Sequence, residues 1–146
     1  MLELAISKIK NLKSKIQNLK LLDVGTGSGI IPITLKKHFP YAEVFAMDIS
    51  EKALEIAQKN ADFHQTEIKF LQADYLNTNL TEKYDVIISN PPYIGIDENI
   101  EIEDSVKGFE PNIALFSPTS DVLIYNKKIA KDCENHLNKN GLFFLE

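Results

Sequence analysis

A glycine-rich segment near the start of the chain is the strongest sign of a binding site. Residues Asp23–Gly29 read Asp-Val-Gly-Thr-Gly-Ser-Gly, and they follow an apolar run. Glycines let the main chain turn sharply and let a ligand approach it closely. The spacing is neither the dinucleotide nor the P-loop pattern, and Ser28, between two glycines, does not form a nucleophile elbow. No lysine is present for a phosphate, so the Asp23 carboxylate favours a cationic ligand.

Two further carboxylates follow later apolar runs. Asp48 comes about twenty residues after the glycines, where an acid would accept hydrogen bonds from both hydroxyls of a ribose. Asp74 ends the next run, where an acid can accept a hydrogen bond from the exocyclic amine of adenine, and Tyr75 beside it can stack on the ring. Each acid alone is more often a turn or cap residue. Three acids at the ends of successive strands predict a ligand crevice.

The run Tyr84–Ser89 leads directly into Asn90-Pro91-Pro92-Tyr93. Prolines stiffen this turn and remove two hydrogen-bond donors. The side-chain oxygen of Asn90 and the main-chain oxygen of Pro91 could therefore act together as acceptors for a planar NH2 group, with Tyr93 as a stacking wall. Such a grip would orient the lone pair of the nitrogen toward an electrophile bound at the glycine loop. Alignment of this kind can lower a barrier by about 7–11 kcal/mol.

These residues must be positioned by alternating strands and helices. Strands are predicted at Lys20–Val24, Ala42–Met47, Ile68–Leu71, Tyr84–Ser89 and Gly141–Leu145. Helices are predicted over residues 1–19, after Gly29, after the N-cap Ser50 and over Ser120–Asn138. The alternation predicts an α/β fold with a mostly parallel sheet and helices on both faces. The carboxyl ends of parallel strands meet at one edge, which would bring the three acids and Asn90 together.

The composition narrows the class of protein. The chain has 146 residues, 44% of them apolar, and a formal net charge of -5. Its one cysteine excludes an internal disulfide, and its three histidines share no spacing, so no metal site is expected. No apolar run approaches the ~18 residues of a membrane span. With no secretory signal visible, we expect a cytoplasmic protein without a membrane partner. Its acidic balance does not favour nucleic acid, and the lysine-rich face of the first helix is interpreted as a solvated surface.

From the glycine loop onward, the chain resembles the class I methyltransferases that use S-adenosylmethionine, which have a Rossmann-like fold. The resemblance implies strand order 3-2-1-4-5. It implies that Asp23 lies near the methionine ammonium group, that Asp48 holds the ribose, and that Asp74 and Tyr75 hold the adenine. The residues implied to line the methionine end of the cofactor are Gly25, Thr26, Gly27, Ser28 and Gly29, and Asn90 is implied to contact the cofactor.

The motif Asn90–Tyr93 resembles that of methyltransferases acting on adenine N6, cytosine N4 or glutamine amides. Residues Phe109–Leu115, Phe-Glu-Pro-Asn-Ile-Ala-Leu, resemble the protein-(glutamine N5) methyltransferases of peptide chain release factors, whereas the DNA enzymes lack this segment. The resemblance implies that Asn90, Pro91, Pro92 and Tyr93 bind the glutamine of a Gly-Gly-Gln motif, with Asn90, Pro91 and Tyr93 as the catalytic residues. A release factor would be the protein substrate, and nucleic acid would be met only indirectly.

Two alternatives stay open at this point: a DNA or RNA amino-methyltransferase, and an inactive cofactor-binding fragment. The chain departs from the family at Asp121-Val122-Leu123, where Asp-Gly-Leu is usual. We expect an amphipathic lead-in helix over residues 1–19 and a cofactor-binding domain over residues 20–146. We also expect the family's preceding helical domain and its final two strands to be missing.

Overall fold

The computed structural model describes residues 1–13, 18–91 and 123–146. These residues form four helices and five strands. In chain order they are α1 Leu2–Lys13, β1 Lys20–Val24, α2 Ile30–His38, β2 Glu43–Asp48, α3 Glu51–Phe63, β3 Lys69–Gln72, β4 Tyr84–Ser89, α4 Ile124–His136 and β5 Leu137–Leu145. None of these helices is long and apolar enough to cross a membrane.

The described strands form a single parallel sheet. Its order is β3-β2-β1-β4-β5, and each neighbouring pair runs in the same direction. The predicted order 3-2-1-4-5 and the parallel arrangement are therefore confirmed. Because β1 and β4 are neighbours in the sheet, the segments that follow them, the glycine loop and Asn90, leave the sheet side by side.

Helices cover both faces of the sheet, as predicted. On one face, α1 and α2 pack on the sheet through Ile9 and Leu35, both fully buried, and Phe39 closes the end of α2. On the other face, α4 packs through Ile129 against a second apolar cluster that includes Leu22. Helix α3 lies along β2, β3 and α2. Burial on both sides explains why β4 is buried at all six of its residues.

Polar contacts at the end of α4 shift a predicted boundary. Sequence periodicity carries the late helix to Asn138, but α4 ends at His136 and β5 begins at Leu137. The Asn138 side-chain amide donates a hydrogen bond of 2.8 Å to Asp85 Oδ1, which draws this residue into the sheet. The register between β4 and β5 is irregular at this point, so β5 is longer than the predicted Gly141–Leu145.

The first helix also differs from the prediction at its end. Helix α1 ends at Lys13, residues 14–17 lie outside the described residues, and Asn18 is not helical. Leu19 is already part of the core beside β1. The apolar stripe of this segment therefore serves two elements: Ala5 and Ile9 pack from the helix, and Leu19 packs from the chain that enters the sheet.

Candidate functional site

The glycine loop, residues 25–29, connects β1 to α2 at the carboxyl edge of the sheet. Gly25, Gly27 and Gly29 have positive φ values of 74°, 55° and 83°, a conformation that L-residues with side chains rarely adopt. A Cβ added at Gly25 or Gly27 would meet nothing within 4 Å, so the main chain there borders open space. The loop is therefore open at Gly25 and Gly27, where the sequence predicts that a ligand approaches.

Asp23 lies beneath this loop and is the most unusual polar group of the site. Its side chain is 1% exposed, and neither carboxylate oxygen has a hydrogen-bond partner among the described residues. The net pKa of Asp23 is raised from 3.8 to about 7, chiefly by burial and also by the Asp48 carboxylate, whereas the Thr26 hydroxyl, itself without a hydrogen-bond partner among the described residues, lowers it. A buried carboxylate without a partner costs free energy, so it indicates a position that a cationic group can complete.

Asp48 ends β2 and supports the loop from the side. Its Oδ2 accepts a hydrogen bond of 2.8 Å from Gly27 N, and its Oδ1 accepts one of 2.9 Å from Ser50 N at the start of α3. The serine is the predicted N-cap, because its Oγ accepts a hydrogen bond from Ala53 N at 3.3 Å. Each Asp48 oxygen retains a free lone pair, so the carboxylate can still accept hydroxyl groups.

Asp74 follows β3 in a turn that occupies part of its carboxylate. Oδ1 accepts a hydrogen bond of 3.1 Å from Leu76 N, and Oδ2 accepts one of 2.7 Å from Asn77 Nδ2. The side chain is half-buried. Asp74 is therefore a turn residue, the alternative that the sequence left open. Both of its carboxylate oxygens can still accept a further hydrogen bond.

Tyr75 points into the core instead of the crevice. Its side chain is 5% exposed and belongs to the apolar cluster under α4. Lys128 Nζ lies 4.8 Å from the ring centroid and covers one face of the ring. Burial raises the pKa of Tyr75, as does the neighbouring Asp132 carboxylate. A flat ligand has no access to this ring in the structure, so its predicted stacking on adenine would need Lys128 to move.

Asn90 and Pro91 emerge from β4 beside the glycine loop. In the β1–β4 pairing, Ser89 is opposite Val24, and its Oγ donates a buried hydrogen bond of 2.8 Å to Val24 O. Asn90 is exposed and Pro91 is buried. The other predicted substrate-binding residues, Pro92 and Tyr93, and the segment Phe109–Leu115 lie outside the described residues, as do Asp121 and Val122, where the chain departs from the family pattern.

Two residues that the sequence did not single out border the crevice. Ile49 follows Asp48 directly and is 46% exposed, an apolar surface next to the predicted ribose site. Tyr125, in the first turn of α4, packs at the margin of the apolar cluster. Burial raises the pKa of Tyr125, and the carboxylates of Asp74 and Asp48 raise it as well. Helical spacing from the buried Ile129 could have indicated Tyr125, since residues four apart share a face.

Three carboxylates therefore lie along the carboxyl edge of the sheet, where the sequence predicts a ligand crevice. Asp23 lies one residue before the end of β1 and Asp48 ends β2, whereas Asp74 and Asn90 follow β3 and β4. Among the described residues, no group of three or more histidine, cysteine or acidic side chains is placed to hold a metal ion. The crevice can accept hydrogen bonds from hydroxyl and amino groups and can receive a positive charge at Asp23.

Sequence comparison gives this crevice a family context. Residues 6–105 match the family model described as methyltransferase small domain. A release factor glutamine methyltransferase of Flavobacterium psychrophilum is 45% identical over 139 residues, which cover 94% of this chain and 49% of that protein. The chain thus spans about half the length of this curated relative.

Structural comparison agrees on the fold. TrmN from Thermus thermophilus superposes with a TM-score of 0.66 at 22% identity, covering 96% of this chain and 36% of that one. PKMT2 from Rickettsia typhi, in complex with AdoHcy, superposes with a TM-score of 0.59 at 19% identity, covering 87% of this chain and 20% of that one. At these identities the likeness shows a shared methyltransferase fold.

Proposed function

Because this chain belongs to the methyltransferase small domain family, we propose that it binds S-adenosylmethionine and methylates the side-chain amide of glutamine in the Gly-Gly-Gln motif of a peptide chain release factor. The observation that carries the proposal is Asp23: a buried carboxylate without a partner among the described residues, beneath a glycine loop open to solvent. A small ligand with a cationic end and a ribose fits this arrangement.

The residues of the crevice fit the parts of the cofactor in order. Asp23 receives the ammonium group, and the open peptide groups at Gly25 and Gly27 border the methionine chain. The free lone pairs of Asp48 accept hydrogen bonds from the ribose hydroxyls. Its carboxylate is oriented by the two main-chain N–H groups that donate to it. Asp74 accepts a hydrogen bond from the adenine amine on a lone pair that is not used by the hydrogen bonds of its own turn.

Ile49 and Tyr125 replace Tyr75 as the apolar boundary of the adenine position. Ile49 is exposed beside Asp48, and Tyr125 is half-buried with a pKa that the carboxylates of Asp74 and Asp48 raise, whereas Tyr75 is buried under Lys128. Tyr75 is then a residue of the apolar core and does not contact the cofactor. This assignment keeps the sequence prediction of an adenine position after β3 and changes the side chains that contact it.

Positioning accounts for most of the proposed catalysis. When bound, S-adenosylmethionine supplies a methyl group on a positively charged sulfur. The side-chain oxygen of Asn90 and the main-chain oxygen of Pro91 accept hydrogen bonds from the two N–H groups of the glutamine amide. Tyr93 packs against this amide. These acceptors orient the nitrogen and stabilise the positive charge that develops on it. A neutral nucleophile and a cationic methyl donor disperse charge as they react, so strong acid–base assistance is not required.

A release factor is a better candidate substrate than nucleic acid. The relative at 45% identity is named for release factor glutamine methylation, and Phe109–Leu115 carries the segment that the DNA enzymes lack. The net charge of -5 also disfavours a polyanionic substrate. A substrate of translation termination implies a cytoplasmic location.

The test offers the chain labelled S-adenosylmethionine with an unmethylated release factor and with duplex DNA in parallel. Label on the release factor that disappears when the motif glutamine is replaced supports the proposal, and label on DNA contradicts it.

Asn90→Ala should reduce transfer at least 100-fold and leave S-adenosylhomocysteine affinity within about threefold, because Asn90 mainly orients the acceptor. Equal loss of binding and transfer would show that Asn90 holds the cofactor instead.

A further inference from the structure

A side chain of α3 contacts the glycine loop from outside the crevice. Asn60, in the third turn of α3, donates a hydrogen bond of 2.9 Å from Nδ2 to the main-chain oxygen of Ser28. The two residues are 32 positions apart in the chain. Ala57 precedes Asn60 by three residues and therefore lies on the same side of the helix. A Cβ added at Gly29 would approach the Ala57 Cβ to 3.0 Å, so this side of α3 lies against the loop.

The loop is held largely by β2 and α3. Met47 O accepts hydrogen bonds from Gly25 N at 2.9 Å and Thr26 N at 3.0 Å, and Asp48 Oδ2 accepts one from Gly27 N. Together with the hydrogen bond from Asn60 to Ser28 O, every loop residue from 25 to 28 is hydrogen-bonded to a residue of β2 or α3. The Met47 contacts are main-chain, and the Asp48 carboxylate is itself proposed to bind the ribose. Asn60 is the side chain in this set with no proposed contact to the cofactor.

Fixing the loop affects ligand affinity because its residues are unusually free. Three of the five have positive φ, and a glycine loses more conformational freedom than any other residue when it is ordered. A site that is ordered before binding loses less entropy when the ligand arrives. The hydrogen bond from Asn60 fixes the orientation of the Ser28–Gly29 peptide, which continues directly into α2 through the bond from Ile33 N to Gly29 O.

We propose that Asn60 is a positioning residue, which orders the Ser28 peptide and thereby sets the affinity for the amino-acid end of the cofactor. The inference rests on the proposed function, because the loop is assigned to the methionine end there. It names a residue outside the crevice whose contribution depends on donating a hydrogen bond. Asparagine can donate from its amide, whereas the isosteric aspartate has only acceptor oxygens, which would face the Ser28 carbonyl oxygen.

The experiment measures calorimetric affinities for two ligands. S-adenosylhomocysteine carries the amino-acid end, and 5′-methylthioadenosine keeps the adenosine and sulfur without it. Asn60→Ala and Asn60→Asp should each weaken S-adenosylhomocysteine roughly 3- to 10-fold, in line with the loss of one hydrogen bond. Affinity for 5′-methylthioadenosine should stay within twofold. The matched control is Gln58→Ala on the same helix, which removes a surface hydrogen bond to Asp62 and should change neither affinity.

The two ligands separate positioning from a merely structural role. The inference would be overturned if the Asn60 variants lost affinity for both ligands equally, or if their affinity for S-adenosylhomocysteine were unchanged. Asn60→Asp preserves the shape of the side chain, so it keeps the test decisive if the alanine variant folds poorly. An unmodified chain that binds 5′-methylthioadenosine and S-adenosylhomocysteine equally well would overturn the assignment of the loop to the amino-acid end. An unmodified chain that binds neither would overturn the proposed function together with the inference.

Discussion

At the residue scale, the burial of Asp23 makes the stability of the fold depend on pH. Its folded-state pKa of about 7 is above the value of 3.8 for a solvated aspartate, chiefly because the carboxyl is buried. Between about pH 4 and pH 7 the folded chain therefore holds a proton that the unfolded chain has released. Stability from this group is fully present at low pH and declines as the pH rises toward 7.

This linkage can be measured by urea unfolding without ligand at pH 5.0 and pH 7.5. The unmodified chain should lose about 2–3 kcal/mol more of its unfolding free energy over this range than Asp23→Asn, whose amide does not titrate. The comparison isolates Asp23 because the other titrating groups are common to both proteins. Parallel pH dependence in the two proteins would mean that Asp23 is ionised in the folded state at both pH values.

Tyr75 illustrates the limit of reasoning from neighbouring residues. Asp74 and Tyr75 are adjacent in sequence, and both were predicted to face adenine. The structure turns Asp74 toward the turn after β3 and buries Tyr75 in the core. Adjacent side chains outside a helix often point in different directions, so one position in a site does not imply the next. Ile49, beside Asp48, is the opposite case, an exposed neighbour that the motif did not mark.

At the element scale, α3 and the glycine loop fit closely at Gly29. Its φ is +83°, and an added Cβ would lie 3.0 Å from the Ala57 Cβ and 3.2 Å from the Ala57 Cα. The Ala57 main chain cannot move without moving the helix. Both the backbone conformation and the lack of space therefore require glycine at this position.

Gly29→Ala should destabilise the ligand-free chain by roughly 2–4 kcal/mol, combining backbone strain with overpacking. The matched control is Gly27→Ala, which has a φ of +55° but nothing within 4 Å of the added Cβ. It should show the strain alone and cost roughly 1–2 kcal/mol. Unfolding free energies from urea titration measure both, and similar values for the two variants would contradict the close packing of α3 on the loop.

Boundaries of elements depended on contacts between distant residues. The strands Lys20–Val24 and Tyr84–Ser89 were predicted with the bounds they have, because buried parallel strands read as short apolar runs. The junction of α4 and β5 was misplaced because it is fixed by Asn138 and Asp85, 53 residues apart. Local periodicity contains no information about a partner at that distance.

At the scale of the whole molecule, the crevice exists only when the sheet is assembled. Asp23, Asp48 and Asn90 come from three parts of the chain, and pairing of β1 with β2 and β4 brings them to one edge. A ligand that contacts all three therefore binds the folded chain and not the unfolded one. Such a ligand stabilises the entire fold by mass action.

Thermal unfolding tests this coupling. S-adenosylhomocysteine at a hundred times its Kd should add about 2.7 kcal/mol to the unfolding free energy and raise the Tm by roughly 5–10 °C. At the same ligand concentration, Asp48→Ala should lose most of this shift, because it removes the ribose acceptor, whereas Gln58→Ala on the outer surface of α3 should keep it. An undiminished shift in Asp48→Ala would contradict the ribose role.

The sequence by itself determined the class of fold and the order of the elements, and it predicted which acids and which amide lie at the carboxyl edge of the sheet. It did so because strand burial, helix caps and glycine spacing are local properties of the chain. The tertiary structure decided which side chains face the crevice and what supports the loop. Burial of Asp23 and Tyr75, the exposure of Ile49 and the hydrogen bond from Asn60 to Ser28 all depend on packing between elements distant in sequence. Packing of that kind is decided only when the sheet and its helices come together, so no local pattern records it.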